Sequence, residues 1–77
     1  MTNQEIFSSI AKALDVPPST ISMETVSNDL ESWDSLGHIS ILMELQTAFE
    51  GQYEETDAFA SAVGVRDLVL ALKGSTD

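Results

Sequence analysis

A serine hydroxyl stands where a polar stretch of the chain gives way to a long apolar run, in the sequence Asp34-Ser35-Leu36. The apolar run has helical periodicity, so we predict that Ser35 lies on the first turn of a helix, at the surface. The backbone N–H groups of a first turn have no partner within the helix, and the helix dipole there favours negative charge. A phosphate ester on the Ser35 hydroxyl would therefore be stabilised electrostatically.

The same segment also contains the residue types of a hydrolytic site, because His38 follows Ser35 by three positions. The two side chains could lie on adjacent turns, with Asp34 as the acid that orients the histidine. Against this arrangement, Asp34 is better suited to be the N-cap of the helix, and the sequence contains no glycine-rich elbow. A small hydrolase that uses Ser35 is therefore one hypothesis for this segment, ranked below the two given later in this section. If the segment is not hydrolytic, His38 is expected to be an ordinary half-buried residue of the helix.

Four helical segments are predicted to position this serine. A capping box, Thr2-x-x-Glu5, begins a first helix over about 3–14, which the prolines after Asp15 end. Asp34 begins a second helix over about 35–50, which ends before Gly51. A short third helix over 58–62 and a last helix over 65–73, closed by Gly74, follow. No alternating strand pattern is found, so we predict an all-α fold, with residues 1–77 as one domain.

Residues 15–34 form a long connection between the first two helices. Its isolated apolar residues are predicted to anchor it to the core, and Ser19 to Ile21 to form a short turn. These anchors are Val16, Ile21, Met23, Val26 and Leu30. A loop of this length in a compact domain is usually functional.

The second helix carries more apolar residues than one buried face requires. One stripe is predicted to face the core: Ile41, Leu42, Leu45, Ala48 and Phe49. A second stripe, Leu36, Ile39 and Met43, begins beside Ser35. Either the long loop covers this second stripe, or it is a partly exposed, methionine-containing surface on which a partner docks.

Charge restricts the partners of the chain. The chain has thirteen acidic residues and three basic ones, Lys12, Arg66 and Lys73, which gives a net charge of −10. Such a surface argues against nucleic-acid binding and favours partners with basic patches, although solubility alone is the alternative explanation. The acidic residues are scattered without calcium-loop spacing, and the chain has no cysteine, so we predict no metal site and no disulfide.

No apolar run approaches the roughly 20 residues needed to span a bilayer. The amino-terminal residues also lack the positive start and the apolar stretch of a signal peptide. From these features we expect a cytoplasmic protein that does not bind membranes. We also expect it to be a monomer.

The segment Asp34-Ser35-Leu36, followed by Ile39, Ile41, Leu42, Met43, Leu45 and Phe49, resembles the acyl carrier proteins. The resemblance covers nearly the whole chain and implies a four-helix acyl-carrier-like bundle with a long first loop and a short third helix. It implies that Ser35 carries 4′-phosphopantetheine, which a phosphopantetheinyl transferase adds from coenzyme A, and that Asp34 assists recognition by the transferase. The implied partner-binding residues are Leu36, Ile39, Met43 and Glu44.

A carrier of this kind is not itself an enzyme; it holds acyl or aminoacyl groups as thioesters on the arm for separate enzymes. The implied partners are an acyl-loading ligase or acyltransferase and the downstream acyl-processing enzymes. Carriers of fatty-acid synthesis have acidic residues where this chain has Gly37, Ser40, Gln46 and Thr47. The resemblance is therefore to stand-alone carriers of specialised polyketide, glycan or amino-acyl pathways. The second hypothesis is a helical adaptor that binds a partner through the second stripe without a prosthetic group.

Overall fold

The computed structural model describes residues 2–54 and 56–73, and within them the predicted all-α fold is confirmed. The helices are α1 (Asn3–Leu14), α2 (Ser35–Ala48), α3 (Asp57–Ala60) and α4 (Val65–Lys73). Two 3₁₀ turns, Pro18–Thr20 and Ser27–Asp29, lie in the long connection between α1 and α2. The described residues form no β-strand, and an isolated antiparallel bridge joins Val26 to Gly64.

Helix α1 begins and ends as its sequence predicts. The Thr2 hydroxyl accepts a hydrogen bond from the Glu5 amide at 3.2 Å, and the Glu5 carboxylate accepts one from the Thr2 amide at 2.9 Å. This reciprocal pair satisfies two amides that the first turn leaves unpaired. At the other end Asp15 adopts the left-handed conformation, with φ at 60°, and the prolines that follow cannot extend the helix.

The core lies where α1 meets α2 and α4, and Phe59 of α3 closes it. The sequence spacing places one apolar face of each long helix toward this centre, and burial of each such side chain contributes about 1.5–3 kcal/mol to folding. The most deeply buried side chains are Ile6, Ile10, Ile41, Leu45, Phe59, Val65 and Leu68.

Helix α2 ends two residues earlier than predicted, at Ala48, and Gly51 follows in a left-handed turn with φ at 94°. Within the predicted core stripe Ile41 and Leu45 are buried, and Leu42 and Phe49 are partly buried. The assignment of Ala48 to the core was wrong, because its side chain is exposed. Near Ala48 the surface of α1 is polar, formed by Gln4, Glu5, Ser8 and Ser9, so no apolar partner covers it.

The long connection is fastened to the turn between α3 and α4 by its backbone. The amide of Ser27 donates to the carbonyl of Val63 at 2.8 Å, and the amide of Val65 donates to the carbonyl of Thr25 at 2.9 Å. Ile21 is buried, whereas Val16, Met23 and Leu30 pack at the edge of the core. Val26 was wrongly predicted as a side-chain anchor, since its side chain is 41% exposed and its backbone makes the bridge.

The absence of a side chain at Gly64 lets the two backbone segments of this bridge approach each other closely. A Cβ at Gly64 would lie 3.1 Å from Cγ1 of Val26 and 3.3 Å from the carbonyl oxygen of Thr25. The predicted turn at Ser19 to Ile21 forms one residue earlier, over Pro18–Thr20. The side chain of buried Thr25 joins two other residues of the long connection. Its hydroxyl donates to the Thr20 carbonyl at 3.3 Å and accepts from the Ser22 amide at 3.0 Å.

Helix α3 is a single turn that holds Phe59 against Tyr53, with ring centroids 4.5 Å apart. The Ser61 hydroxyl donates to the Asp57 carbonyl at 2.8 Å and ends the turn. Gly74, which was predicted to close α4, lies outside the described residues. Among the described residues, no helix has both the length and the apolar character that crossing a bilayer requires.

We predict that salt stabilises this fold. The three basic residues offset only three of the thirteen acidic charges, and the net charge is −10. Of these bases, Lys12 pairs with Glu44, whereas Lys73 donates to the amide oxygen of Asn3 and not to a carboxylate. Raising the ionic strength from about 0.01 M to about 0.15 M shortens the screening length from roughly 30 Å to 8 Å. Thermal unfolding followed by circular dichroism should show a rise in Tm, by about 5 °C for each kcal/mol of repulsion relieved. A flat or falling Tm would contradict strong repulsion among the acids.

Candidate functional site

The start of α2 places Ser35 at the surface. The carboxylate of Asp34 accepts a hydrogen bond from the Gly37 amide at 2.8 Å, and the Asp34 carbonyl accepts one from the His38 amide at 2.8 Å. Asp34 is thus the N-cap, as predicted, and Ser35 is the first helical residue, with an exposed side chain. None of the hydrogen bonds found among the described residues uses the amide of Ser35 or of Leu36. The first turn therefore presents a free hydroxyl beside unpaired N–H groups.

An uncovered apolar strip, formed by Leu36, Ile39 and Met43, begins beside Ser35. Their side chains are 74%, 53% and 63% exposed, so the long loop does not cover them. The other exposed residues of this helix beyond its first turn are uncharged: Ser40, Gln46, Thr47 and Ala48. The exposed face of α2 is thus neutral on a protein that is otherwise strongly acidic.

Glu44 lies apart from the apolar strip. Its carboxylate is 3.4 Å from the Lys12 ammonium of α1, and its side chain is 25% exposed. This pair joins α1 to α2 at the edge of their packed faces. Any contact of Glu44 with a partner would compete with that pairing.

Gly37 allows the loop to approach α2 closely. A Cβ at this position would collide with the carbonyl oxygen of Ser32 and would lie 3.1 Å from Cδ2 of Leu14. Glycine is a poor helix former, and here the missing side chain makes room for backbone. The segment that leads into Ser35 is therefore seated directly on the first turn of α2.

His38 connects this segment to α3. Its Nδ1 atom lies 3.1 Å from Nε1 of Trp33, and its Nε2 atom lies 2.8 Å from the carbonyl oxygen of Phe59. The rings of Trp33 and His38 are nearly parallel, with an angle of 10° between their planes and centroids 6.2 Å apart, so they meet edge to edge. One partly buried imidazole thus joins the loop, α2 and α3.

These contacts assign the tautomer of His38. An indole N–H can only donate, so Nδ1 of His38 accepts, and the carbonyl of Phe59 can only accept, so Nε2 carries the proton. With both ring nitrogens engaged, neither is free to accept a proton from the Ser35 hydroxyl. This arrangement gives no support to the serine–histidine pair that a hydrolase would need.

Trp33 is the contributor that sequence reasoning missed. It is 5% exposed and belongs to the core, although it lies in a polar stretch with no helical or strand periodicity. A buried indole needs an acceptor for its N–H, and His38 follows five residues later. The sequence signal for the burial of Trp33 was therefore this spacing of a donor-only indole and an imidazole that can accept its hydrogen bond. No signal pointed to the Phe59 carbonyl, which is 21 residues away.

Over residues 2–54 and 56–73, no group of three or more histidine, cysteine or acidic side chains is placed to hold a metal ion. A scan against protein-family models, and searches of curated proteins and of solved structures, found no significant match to the chain.

We predict that Gly37→Ala destabilises the protein. At an ordinary helix position, replacing glycine by alanine would instead raise the free energy of unfolding by about 1 kcal/mol. The new methyl group must displace the Ser32 carbonyl, and overpacking of this kind costs about 1–3 kcal/mol. Urea unfolding should therefore show a lower free energy of unfolding. Ser40→Ala, on the exposed face of the same helix, is the matched control and should be neutral or slightly stabilising. A Gly37→Ala variant more stable than wild type would rule out the close approach.

Proposed function

We propose that this chain is an acyl carrier protein, with Ser35 as the attachment point for 4′-phosphopantetheine. The observation that carries the proposal is the free hydroxyl of Ser35 on the first turn of α2, directly beside the uncovered strip of Leu36, Ile39 and Met43. A modifying enzyme needs both features at once: a reachable hydroxyl, and a surface by which to hold the protein while it reacts. The size, the acidity and the order of helices agree with this role.

The residues at the start of α2 suit a phosphodiester. The unpaired amides of Ser35 and Leu36 and the positive end of the helix dipole favour an anionic group on this turn. The nearby Asp34 carboxylate would repel it, but one of its oxygens already accepts the Gly37 N–H. Because the chain has no cysteine, the arm would supply the only thiol, on which acyl groups are held as thioesters.

In the attachment reaction Ser35 Oγ would form a bond to the phosphorus that bears the pantetheine of coenzyme A. The pyrophosphate bond breaks, the adenosine bisphosphate leaves, and the hydroxyl proton passes to a base of the transferase. His38 is not that base, since both of its nitrogens are engaged. Ser35 is the only group of this chain that changes covalently.

Partner recognition would combine two kinds of force. The net charge of −10 attracts enzymes with basic patches and speeds encounter. The contact itself would be made by Leu36, Ile39 and Met43, whose face of α2 carries no charge beyond the first turn. Carriers of fatty-acid synthesis rely on acids along this helix, and the exposed face of α2 in this chain lacks them beyond the first turn. We therefore propose a specialised polyketide, glycan or amino-acyl pathway. Separate ligases or acyltransferases would load the arm.

The uncovered strip also favours a second candidate, a helical adaptor that binds a partner without a prosthetic group. The two candidates differ in their use of Ser35. An adaptor would bind its partner through the strip whether or not Ser35 carries a hydroxyl, whereas a carrier would be inactive without it.

We predict that wild-type protein gains one phosphopantetheine when it is incubated with coenzyme A and a phosphopantetheinyl transferase, as measured by intact mass. Ser35→Ala should gain none, while its free energy of unfolding changes by under roughly 1 kcal/mol, because the side chain is exposed. Ser32→Ala is the matched control: it removes another exposed hydroxyl of the same segment and should load like wild type. Loading of Ser35→Ala would show that the site is elsewhere.

We predict that Met43→Glu weakens docking of the transferase. A charge placed in a desolvated apolar contact costs more than about 1 kcal/mol, so KM for the carrier should rise by at least about fivefold. The fold should tolerate the change, because Met43 is exposed. Leu70→Glu, which alters a 43% exposed leucine of α4, is the control and should leave KM near that of wild type. Equal KM values for the two variants would exclude the strip as the docking surface.

A further inference from the structure

We propose that His38 is a positioning residue for loading of Ser35, acting through Trp33 and the carbonyl of Phe59. The inference rests on the proposed function and adds to it a part of the chain that does not touch the incoming group. It concerns how the hydroxyl is held in place before the transferase arrives.

Trp33, His38 and the carbonyl of Phe59 form one hydrogen-bonded assembly, and Ser35 lies between the first two of these residues in the sequence. Trp33 precedes it by two residues, and His38 follows it by three. The bond from Trp33 Nε1 to His38 Nδ1 closes this short segment onto the helix, and the bond from His38 Nε2 to Phe59 ties the helix to α3. The position of Ser35 is thus linked to the core at both of its sides.

The assembly protects the end of a helix, where order is weakest. The first turn of α2 depends on Asp34, whose carboxylate and carbonyl accept the amides of Gly37 and His38. Asp34 directly follows Trp33, so the indole–imidazole bond helps to keep this cap in place. Without it we expect the first turn to fray and Ser35 to move relative to Ile39 and Met43, which lie deeper in the helix.

This role predicts a separation of kinetic effects. Docking uses the apolar strip, of which Ile39 and Met43 remain on the intact part of α2, so KM should change little when the assembly is broken. The rate of the chemical step depends on the position of the hydroxyl, and a displacement of about 1 Å can cost up to about a hundredfold. Loss of His38 should therefore lower kcat, whereas Met43→Glu raises KM.

Trp33→Phe, His38→Phe and the double variant test this inference. Each retains an aromatic ring and loses the bond between the two side chains. We expect kcat of transferase loading to fall about tenfold in each single variant, with KM within about twofold of wild type. The double variant should be no worse than His38→Phe, because both single variants break the same bond between residues 33 and 38. Ser8→Ala, an exposed substitution on α1, is the control and should match wild type.

Amide hydrogen exchange on the same proteins supplies a readout besides loading. In Trp33→Phe and His38→Phe the backbone amides at positions 37 and 38 should exchange faster, while those of the middle of α2 stay protected. If His38→Phe does not fold, Trp33→Phe alone decides. Wild-type kcat and exchange in the folded variants would overturn the positioning role. A wild-type protein that takes no arm would instead overturn the proposed function, and this inference with it.

Discussion

The close approach of the Ser32 carbonyl to Gly37 determines how the long loop enters α2. Because no side chain intervenes, Trp33 can be buried, Asp34 can cap the helix, and Ser35 begins it at the surface. A bulkier residue at position 37 would displace all three together. The order at this junction thus comes from backbone packing, and the exposed hydroxyl is a consequence of how its neighbours are held.

The molecule separates its charges from its apolar surface. Acidic residues give the protein its net charge of −10, yet the strip of Leu36, Ile39 and Met43 lies on a face of α2 without charged side chains. Glu44 points to α1 instead and pairs with Lys12. Long-range attraction and short-range contact can therefore be supplied by different residues. In the proposed function, a carrier that meets several enzymes in turn would benefit from fast encounter and a modest contact area.

Local patterns in the sequence predicted α1 with its capping box, the cap at Asp34 and the two stripes of α2, because each depends on residues within one or two turns. Contacts between distant segments were not predictable in this way. The burial of Trp33, the bond from His38 to Phe59 and the bridge from Val26 to Gly64 depend on how the loop folds back. Periodicity carries no information about such pairings, and for the same reason Val26 was wrongly predicted as a side-chain anchor of the loop and Ala48 as a core residue.

Attachment of the arm at Ser35 can be measured by tandem mass spectrometry of proteolytic peptides from wild-type protein after reaction with coenzyme A and a phosphopantetheinyl transferase. The proposed function predicts one modified peptide, with the phosphopantetheine mass on Ser35 and every other serine unmodified. Unmodified protein after prolonged reaction with a transferase that loads another carrier in the same tube would contradict a carrier function. The same mass on a different serine would contradict the assignment of the site.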